Sequence, residues 1–355
     1  MSEKFVDPMP GVPLVESPFF EQRLATDPAF ENPEWKRIAR DLHRVGFASF
    51  EFPADNFDAM AAEIIESLDG RYDWTDWQER DTSVRVMDAW EDVDAVRKIA
   101  TNQYVLDLLQ ALYGRRPIPF QTLNFPVGTE QHFHSDSIHF SSFPERFMCG
   151  VWVPLEDIDD DNGPLVYYPG SHRLPIYTHE HLGTYAPAQQ EIYEPVWAAL
   201  VESLGLEPET FVTKKGQCLI WAANLLHGGA PHRDKSRTRH SQVSHYYFEN
   251  CCYYMPHSSD PMRGVVKYKD VVNIATGKHE PNRFVLNDLD RKYIEQTAPK
   301  AGDLERLRNS PDFTTPVDFD GDLYLEMYPD VAATGMDPIY HFRRFGRWEG
   351  RPIKR

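Results

Sequence analysis

The chain has 355 residues, of which 41% are hydrophobic and 13% aromatic, enough for one large domain with a substantial core, alone or with an appendage. Its net charge of −18 argues against nucleic acid and anionic membranes as partners, because both select a positive surface. No run approaches the roughly 20 apolar residues of a membrane span, the opening "MSEKFVDPMPGVPLVESPFF" lacks the regions of a signal peptide, and Cys149, Cys218, Cys251 and Cys252 form no C-x-x-C pair, so a cytoplasmic protein with reduced thiols is expected.

Residues 1–20 carry several prolines and are expected to form an extended arm. "NPEWKRIARDLHRVG" has an Asn cap, a proline in the first turn and a closing glycine, which predict a helix. "FASFEF" reads as a short strand. "DNFDAMAAEIIESLDG" predicts a second helix with Phe57, Ala61, Ile64 and Leu68 on one face. "DVDAVRKIATNQYVLDLLQALYG" predicts the longest helix, ending at Gly114.

From residue 117 the pattern changes. "IPFQTLNF", "RFMCGVWVPLED", "LVYYPGS", "QCLIWAANLLHG" and "RHSQVSHYYFE" read as strands, some separated by turn signals such as Asn162-Gly163-Pro164. One helix, "PVWAALVESLG", interrupts them. Helices followed by many short antiparallel strands predict an α+β fold with a sandwich or jelly roll. Residues 258–316 are polar and weakly patterned. The final segment, 317–355, has two short helical patterns with turns at Gly335 and Asp337-Pro338, and is expected to be a small unit of its own. There is no internal repeat.

Chemistry concentrates in "EQHFHSDSIHF". If His134 and Asp136 lie on a strand, they face the same way, so an imidazole and a carboxylate can bind one cation together. The best third ligand is His227, at the end of an apolar strand and before two glycines. Two histidines and one carboxylate form the facial triad of non-haem Fe(II) oxygenases. The HxD spacing alone is weak, since about one is expected by chance in a chain with 14 histidines. The later His227 and an arginine about a dozen residues beyond it strengthen the reading. Arg237 and Arg239 are two apart, and a guanidinium can grip a carboxylate with two parallel hydrogen bonds. A dicarboxylic cosubstrate such as 2-oxoglutarate needs that clamp.

Three stretches carry a resemblance: "HSD" at 134–136, "VWVPLEDIDDDNGPLVYYPGSH" at 151–172 and "LHGGAPHRDKSRTRHS" at 226–241. Across residues 35–255 the chain resembles the phytanoyl-CoA dioxygenase family of Fe(II)/2-oxoglutarate oxygenases. The resemblance implies a double-stranded β-helix, a cupin-like jelly roll buttressed by helices. It implies an oxygenase domain over 1–316 and leaves 317–355 as a helical module. His134, Asp136 and His227 match the iron ligands. Arg239 best matches the cosubstrate arginine, with Arg237 as its rival. Trp152 matches a tryptophan beside the cosubstrate, and Gln121 is a further candidate contact. The implied cofactors are Fe(II), 2-oxoglutarate and O2. The implied reaction hydroxylates a C–H bond and releases succinate and CO2.

The match has departures. Gly229 stands where many members have a serine that binds the cosubstrate, and the arginine sits at the far end of the usual spacing. Asp136 argues against a halogenase, which has a small residue there. His132 shares the face expected for His134 and is either an outer contact or a competing register. His139 is a pocket-lining candidate, His172 a structural one, and His232, His240 and His245 read as surface or core. The "DIDDD" run lacks calcium-loop spacing and reads as an acidic loop.

Trp74, Trp77, Arg80 and Arg85 form either a lid or a packed surface. Their mix suits a small polar substrate, with a carbohydrate-related one among the candidates. The tail "YPDVAATGMDPIYHFRRFGRWEGRP" resembles a short module of bacterial cell-surface glycan proteins. A protein or a glycan is its candidate partner, against a plain structural cap with Leu323, Tyr328, Ile339, Phe342 and Phe345 as its core. The alternatives to hydroxylation are oxidative cyclisation or epimerisation at the same iron, or a non-catalytic jelly-roll binding protein acting through 317–355.

Overall fold

Apolar residues at helical spacing build the first layer. A computed structural model of the chain describes residues 5–75, 77, 84–184, 186, 188, 190–284, 287–288, 319–346, 349 and 351–353. Arg80 and the expected polar stretch from 289 to 316 lie outside the described residues.

The N-terminal segment departs from the expected extended arm. Pro13 leads into a tight turn, Leu14–Glu16, and helix α1 follows at Phe20–Thr26. Leu14, Val15 and Phe20 are buried in the main core. A proline just before a turn loses no needed hydrogen bond, so proline content alone does not keep a segment extended. Helix α2 (Pro33–Val45) forms as expected, with the Asn32 side chain accepting from the Glu34 and Trp35 amides and Gly46 left-handed at its end. Helix α3 (Phe57–Leu68) buries Met60, Ala61, Ile64 and Leu68.

The longest expected helix is two. Helix α4 (Asp94–Ala100) ends before Asn102, whose side chain accepts from the Val105 amide and caps α5 (Gln103–Tyr113). A short polar side chain that competes with the backbone broke a pattern whose apolar spacing reads through.

The strands up to residue 254, in chain order, are β1 (Phe47–Glu51), β2 (Val86–Met87), β3 (Pro117–Phe125), β4 (Ser141–Phe143), β5 (Met148–Pro154), β6 (Leu165–Tyr167), β7 (Glu209–Phe211), β8 (Gln217–Ala222), β9 (His227–Gly229), β10 (Ser241–Phe248) and β11 (Cys252–Tyr254), and short two-stranded pairs follow within residues 271–288. Six make one antiparallel sheet in the order β1-β8-β5-β10-β3-β2, and three make a second, β7-β6-β9. Together with the helices they form an α+β fold.

Strand alternation gives the large sheet two faces. Cys149, Val151, Val153, Cys218 and Ile220 join the main core with the helices. On this face Gln242 donates to the Val96 carbonyl and Tyr246 to that of Ala100, tying β10 to α4. The other face presents Phe125, Trp152, Leu219, Trp221 and Val243 to a second core that includes Leu165 and Tyr167 of the small sheet. Helix α6 (Glu194–Leu204) packs Trp197 with Ile138, Tyr168 and Leu226 in a third.

Near the C-terminus, α7 (Gly321–Met327), α8 (Pro329–Thr334) and α9 (Pro338–His341) surround Tyr324, Val331 and Phe342. Tyr328 packs there too, but Tyr324 takes the place expected for Leu323, and Ile339 is 38% exposed. No helix among the described residues is long and apolar enough to cross a membrane.

Leu14 tests the N-terminal correction. Leu14→Ala should cost roughly 2–5 kcal/mol, as truncation of a buried leucine does. A denaturant-unfolding midpoint equal to that of the wild type would place Leu14 outside the core.

Candidate metal centre

His134 and His227 lie opposite each other across an antiparallel bridge. The His134 amide donates to the His227 carbonyl at 2.8 Å, and the His227 amide donates back at 3.0 Å. This exchange sets two imidazoles side by side, with ring centroids 4.6 Å apart. The expected strand then ends. Asp136 opens a tight turn, Asp136–Ile138, in which the Ser135 hydroxyl accepts from the Ser137 amide. Asp136 therefore approaches His134 from the turn and not as the next residue on a strand face.

The ligand atoms of His134, Asp136 and His227 all lie within 4.8 Å of one another, and all three residues are buried. His134 Nε2 is 3.6 Å from Asp136 Oδ1, and His227 Nε2 is 3.8 Å from Oδ2. Both Nδ1 atoms lie 3.0 Å from backbone carbonyls, of His132 and Leu225. A carbonyl only accepts, so each Nδ1 carries the proton and each Nε2 lone pair points to the shared space.

Two further residues close on the carboxylate. Trp221 Nε1 donates to Asp136 Oδ2 at 2.8 Å, and His245 Nε2 lies 3.8 Å from the same oxygen. Trp221 reaches it because Gly150 faces it across the sheet; a Cβ there would sit 2.3 Å from the indole. His245 Nδ1 donates to Gln121 Oε1 at 3.1 Å. Burial would push the Asp136 carboxyl up, yet His227, His134 and His245 together hold it well below the usual carboxylate range. Burial pushes His227 down and takes His245 to about 4, so both imidazoles are neutral at pH 7. An ionised carboxylate beside neutral imidazoles is the protonation state a divalent cation needs.

The centre opens into a cavity of about 400 Å³. Gln121, Trp152 and Arg239 line it with the three clustered residues. Arg239 is only 1% exposed. Its Nε donates to the Gly163 carbonyl at 2.9 Å and its Nη1 to the Ser241 hydroxyl at 2.8 Å. Its Nη2 and Trp152 Nε1 are buried without a partner among the described residues. Buried donors call for acceptors, so both fit a carboxylate guest in the cavity. Burial lowers Arg239 to about 10, and it remains a cation at pH 7. Arg237 instead pairs with Asp159 at 2.9 Å and lies off the cavity.

Gly229 has a visible cause. A Cβ there would meet the Thr129 hydroxyl at 2.5 Å and the Glu130 amide at 2.8 Å. Thr129 lines the cavity and stands where a side chain at 229 would.

The remaining candidates separate. His139 lines the cavity, with Nε2 3.0 Å from Gln190 Oε1. His132 is exposed and outside the cluster. His172 is buried with Nε2 3.2 Å from the His43 carbonyl, and His232 Nδ1 accepts from the Gly128 amide. Arg85 lines the cavity, whereas Trp74 and Trp77 pack edge to face on each other and Trp77 on His232. His245 corrects the surface-or-core reading. Its signal was the alternation Arg239, Ser241, Val243, His245, which puts it on the arginine's side of β10.

Residues 29–241 match the family model described as phytanoyl-CoA dioxygenase (PhyH). Peroxisomal phytanoyl-CoA dioxygenase of Bos taurus is 24% identical over 221 residues, covering 58% of this chain and 60% of that protein. A probable alpha-ketoglutarate-dependent hypophosphite dioxygenase of Stutzerimonas stutzeri is 23% identical over 149 residues, 41% of this chain and 51% of its own. The chain thus spans less than two thirds of the length of these relatives. Among solved structures, the alpha-ketoglutarate-dependent epimerase SnoN from nogalamycin biosynthesis aligns with a TM-score of 0.46 at 19% identity, covering 62% of this chain and 84% of that one. EctD from S. alaskensis aligns with 0.47 at 18%, covering 62% and 79%.

Trp221 tests the electrostatics of the centre. Trp221→Phe removes the indole donor to Asp136 and should weaken Fe(II) binding about 10- to 100-fold, as loss of such supporting contacts does. An unchanged affinity in an anaerobic titration, with the circular dichroism of the wild type, would show that the indole only fills space.

Proposed function

The chain belongs to the phytanoyl-CoA dioxygenase family, and from this we propose that it is an Fe(II)- and 2-oxoglutarate-dependent dioxygenase that hydroxylates a small polar substrate. His134, Asp136 and His227 hold the iron. Arg239 grips the distal carboxylate of 2-oxoglutarate. The observation that carries this reading is a buried two-histidine, one-carboxylate cluster sharing one cavity with a buried guanidinium that has a hydrogen-bond donor to spare.

When bound, iron and 2-oxoglutarate supply O2 activation, with release of succinate and CO2. The chain's own residues position and shield. Arg239, held by Gly163 and Ser241, keeps Nη2 free for the cosubstrate and sets its end-to-end direction. Trp152 offers Nε1 beside it, with its ring 5.5 Å from the guanidinium carbon. Thr129 supplies the hydroxyl that Gly229 lacks. Gln121 acts one step away, fixing the His245 ring. Phe125, Leu165 and Val243 make an apolar wall that keeps water from the cosubstrate.

We assign this chemistry to a domain spanning residues 1–316 with its core at 35–255. A double-stranded β-helix is the architecture that the two facing antiparallel sheets support. Residues 317–355, with their own small core around Tyr324, form the appended module.

Two measurements test the assignment. Anaerobic addition of Fe(II) and then 2-oxoglutarate should produce a weak visible charge-transfer band in the wild type and none in His134→Ala. A band that survives in His134→Ala rejects His134 as a ligand. Arg239→Lys should weaken 2-oxoglutarate binding about tenfold or more, and Thr129→Val about tenfold, as losing a hydrogen bond to a charged group does. Arg237→Lys should leave that affinity unchanged. The opposite order for the two arginines would transfer the clamp to Arg237.

A further inference from the structure

The cavity belongs to a strongly acidic chain, yet its wall is poor in acid. Among the described lining residues Asp136 is the sole carboxylate, and it is held by three imidazoles and an indole. Two basic groups stand against different parts of its lining. Arg239 lies on the Trp152, Leu165 and Val243 side, and Lys269 lines the same cavity with Phe140 and Met255.

Lys269 is held in place by its backbone and not by its charge. Its amide donates to the Tyr253 carbonyl at 2.8 Å, and its carbonyl accepts from Asn282 at 3.1 Å. Its Nζ stands 5.0 Å from the Phe140 ring centre and 5.5 Å from that of Phe120. Aromatic faces favour a cation but do not neutralise it. Lys269 Nζ has neither an ion pair nor a hydrogen-bond partner among the described residues. The acid that acts on it, Asp88, is committed elsewhere: its Oδ1 accepts from the Trp90 indole and the Thr122 amide. Burial lowers the Lys269 ammonium from its ordinary value, which reflects the incomplete solvation of the charge.

The position is also close to the centre. Phe140, under the ammonium, donates its amide to the Asp136 carbonyl at 2.8 Å. Lys269 also bears electrostatically on His245, which touches Asp136. The same cavity is lined by His139 and Gln190, whose Nε2 and Oε1 are hydrogen-bonded to each other at 3.0 Å. Arg85 stands on the same wall, bears on His139, and has contacts of its own.

We propose that this part of the cavity is an anion subsite in which Lys269 Nζ receives a carboxylate or phosphoryl group of the substrate. The substrate is then a small organic anion, held by its charge at Lys269 with its carbon skeleton directed past Phe140 and Met255 toward His134. A partly buried cation gives up solvation, and among the described residues aromatic faces and the distant Asp88 charge return only part of it. A bound anion removes that cost. The term "substrate" rests on the oxygenase reading; the anion site itself rests on Lys269 and the cavity alone.

The full chain, supplied anaerobically with Fe(II) and saturating 2-oxoglutarate, is titrated calorimetrically with propionate, methylphosphonate and the neutral probe propionamide. At least one anion should bind about tenfold or more tightly than propionamide, a difference calorimetry resolves. Lys269→Met keeps the apolar stem and should abolish that preference, and Lys269→Arg should retain it. The tighter of the two anions assigns the group as carboxylate or phosphoryl. The proposal is overturned if the wild type binds propionamide as well as the anions, binds neither anion, or loses no preference in Lys269→Met. The charge-transfer band in the same samples separates the two readings. A band without anion preference rejects the subsite alone. Anion preference without a band rejects the oxygenase reading alone.

Discussion

A carboxylate taken out of water is the constraint around which this structure is arranged. An unpaired buried charge costs several kcal/mol or more. Asp136 is buried, and its oxygens lie near His134, His227 and His245 and accept from the Trp221 indole. All of these partners but His134 come from distant parts of the chain. Their convergence requires β8, β9 and β10 to be placed correctly around the turn that carries Asp136. The Trp221 indole donates to the carboxylate and the imidazoles turn Nε2 lone pairs toward the same space, an arrangement that a cation would complete. Stability and the proposed chemistry therefore rest on one arrangement.

The scaffold makes that arrangement stiff. The His134–His227 bridge fixes the two backbones by hydrogen bonds, and each ring is then held by its Nδ1 bond to the His132 or Leu225 carbonyl. The large sheet is fixed from its other face, where Gln242 and Tyr246 of β10 bond to carbonyls of α4. Val243 and His245 thus line the cavity from a strand whose back is anchored, and Arg239 enters it two residues before that strand begins. Sites built on such elements hold their geometry better than sites on free loops.

The readable part of the site was what local chemistry marks. His134, Asp136 and His227 sit next to residues with recognisable roles: a turn, a strand end, a glycine pair. Arg239 and Arg237 could not be separated by spacing, because the difference lies in their neighbours. Arg239 enters the cavity, and Arg237 finds Asp159 of the acidic loop. His245 was legible in the alternation of β10 but carries no motif. Trp221 depends on Gly150 of another strand, and Thr129 fills the space left by Gly229 far along the chain. Such pairings across strands have no local signature. The helix break at Asn102 and the burial of Leu14 failed for a different reason: apolar period and proline content were weighed above a single capping side chain and a single buried turn.

The two basic groups of the cavity give the proposed reaction a direction. An oxygenase of this chemistry has a reactive centre that would attack many C–H bonds, so selectivity has to come from what is held within reach of it. In the proposed reading Arg239 takes the cosubstrate by its far carboxylate, in the cavity that the His134, Asp136 and His227 cluster also lines. On the proposed subsite, the Lys269 ammonium would fix one point of a guest in the same cavity. With one end of the guest fixed and about 400 Å³ to share with the cosubstrate, few carbons can approach the face beside His134. The identity of the oxidised carbon then follows from its distance to the anionic group rather than from intrinsic bond strength. A chain of net charge −18 needs such a local cation, because its surface as a whole repels the guest it would select.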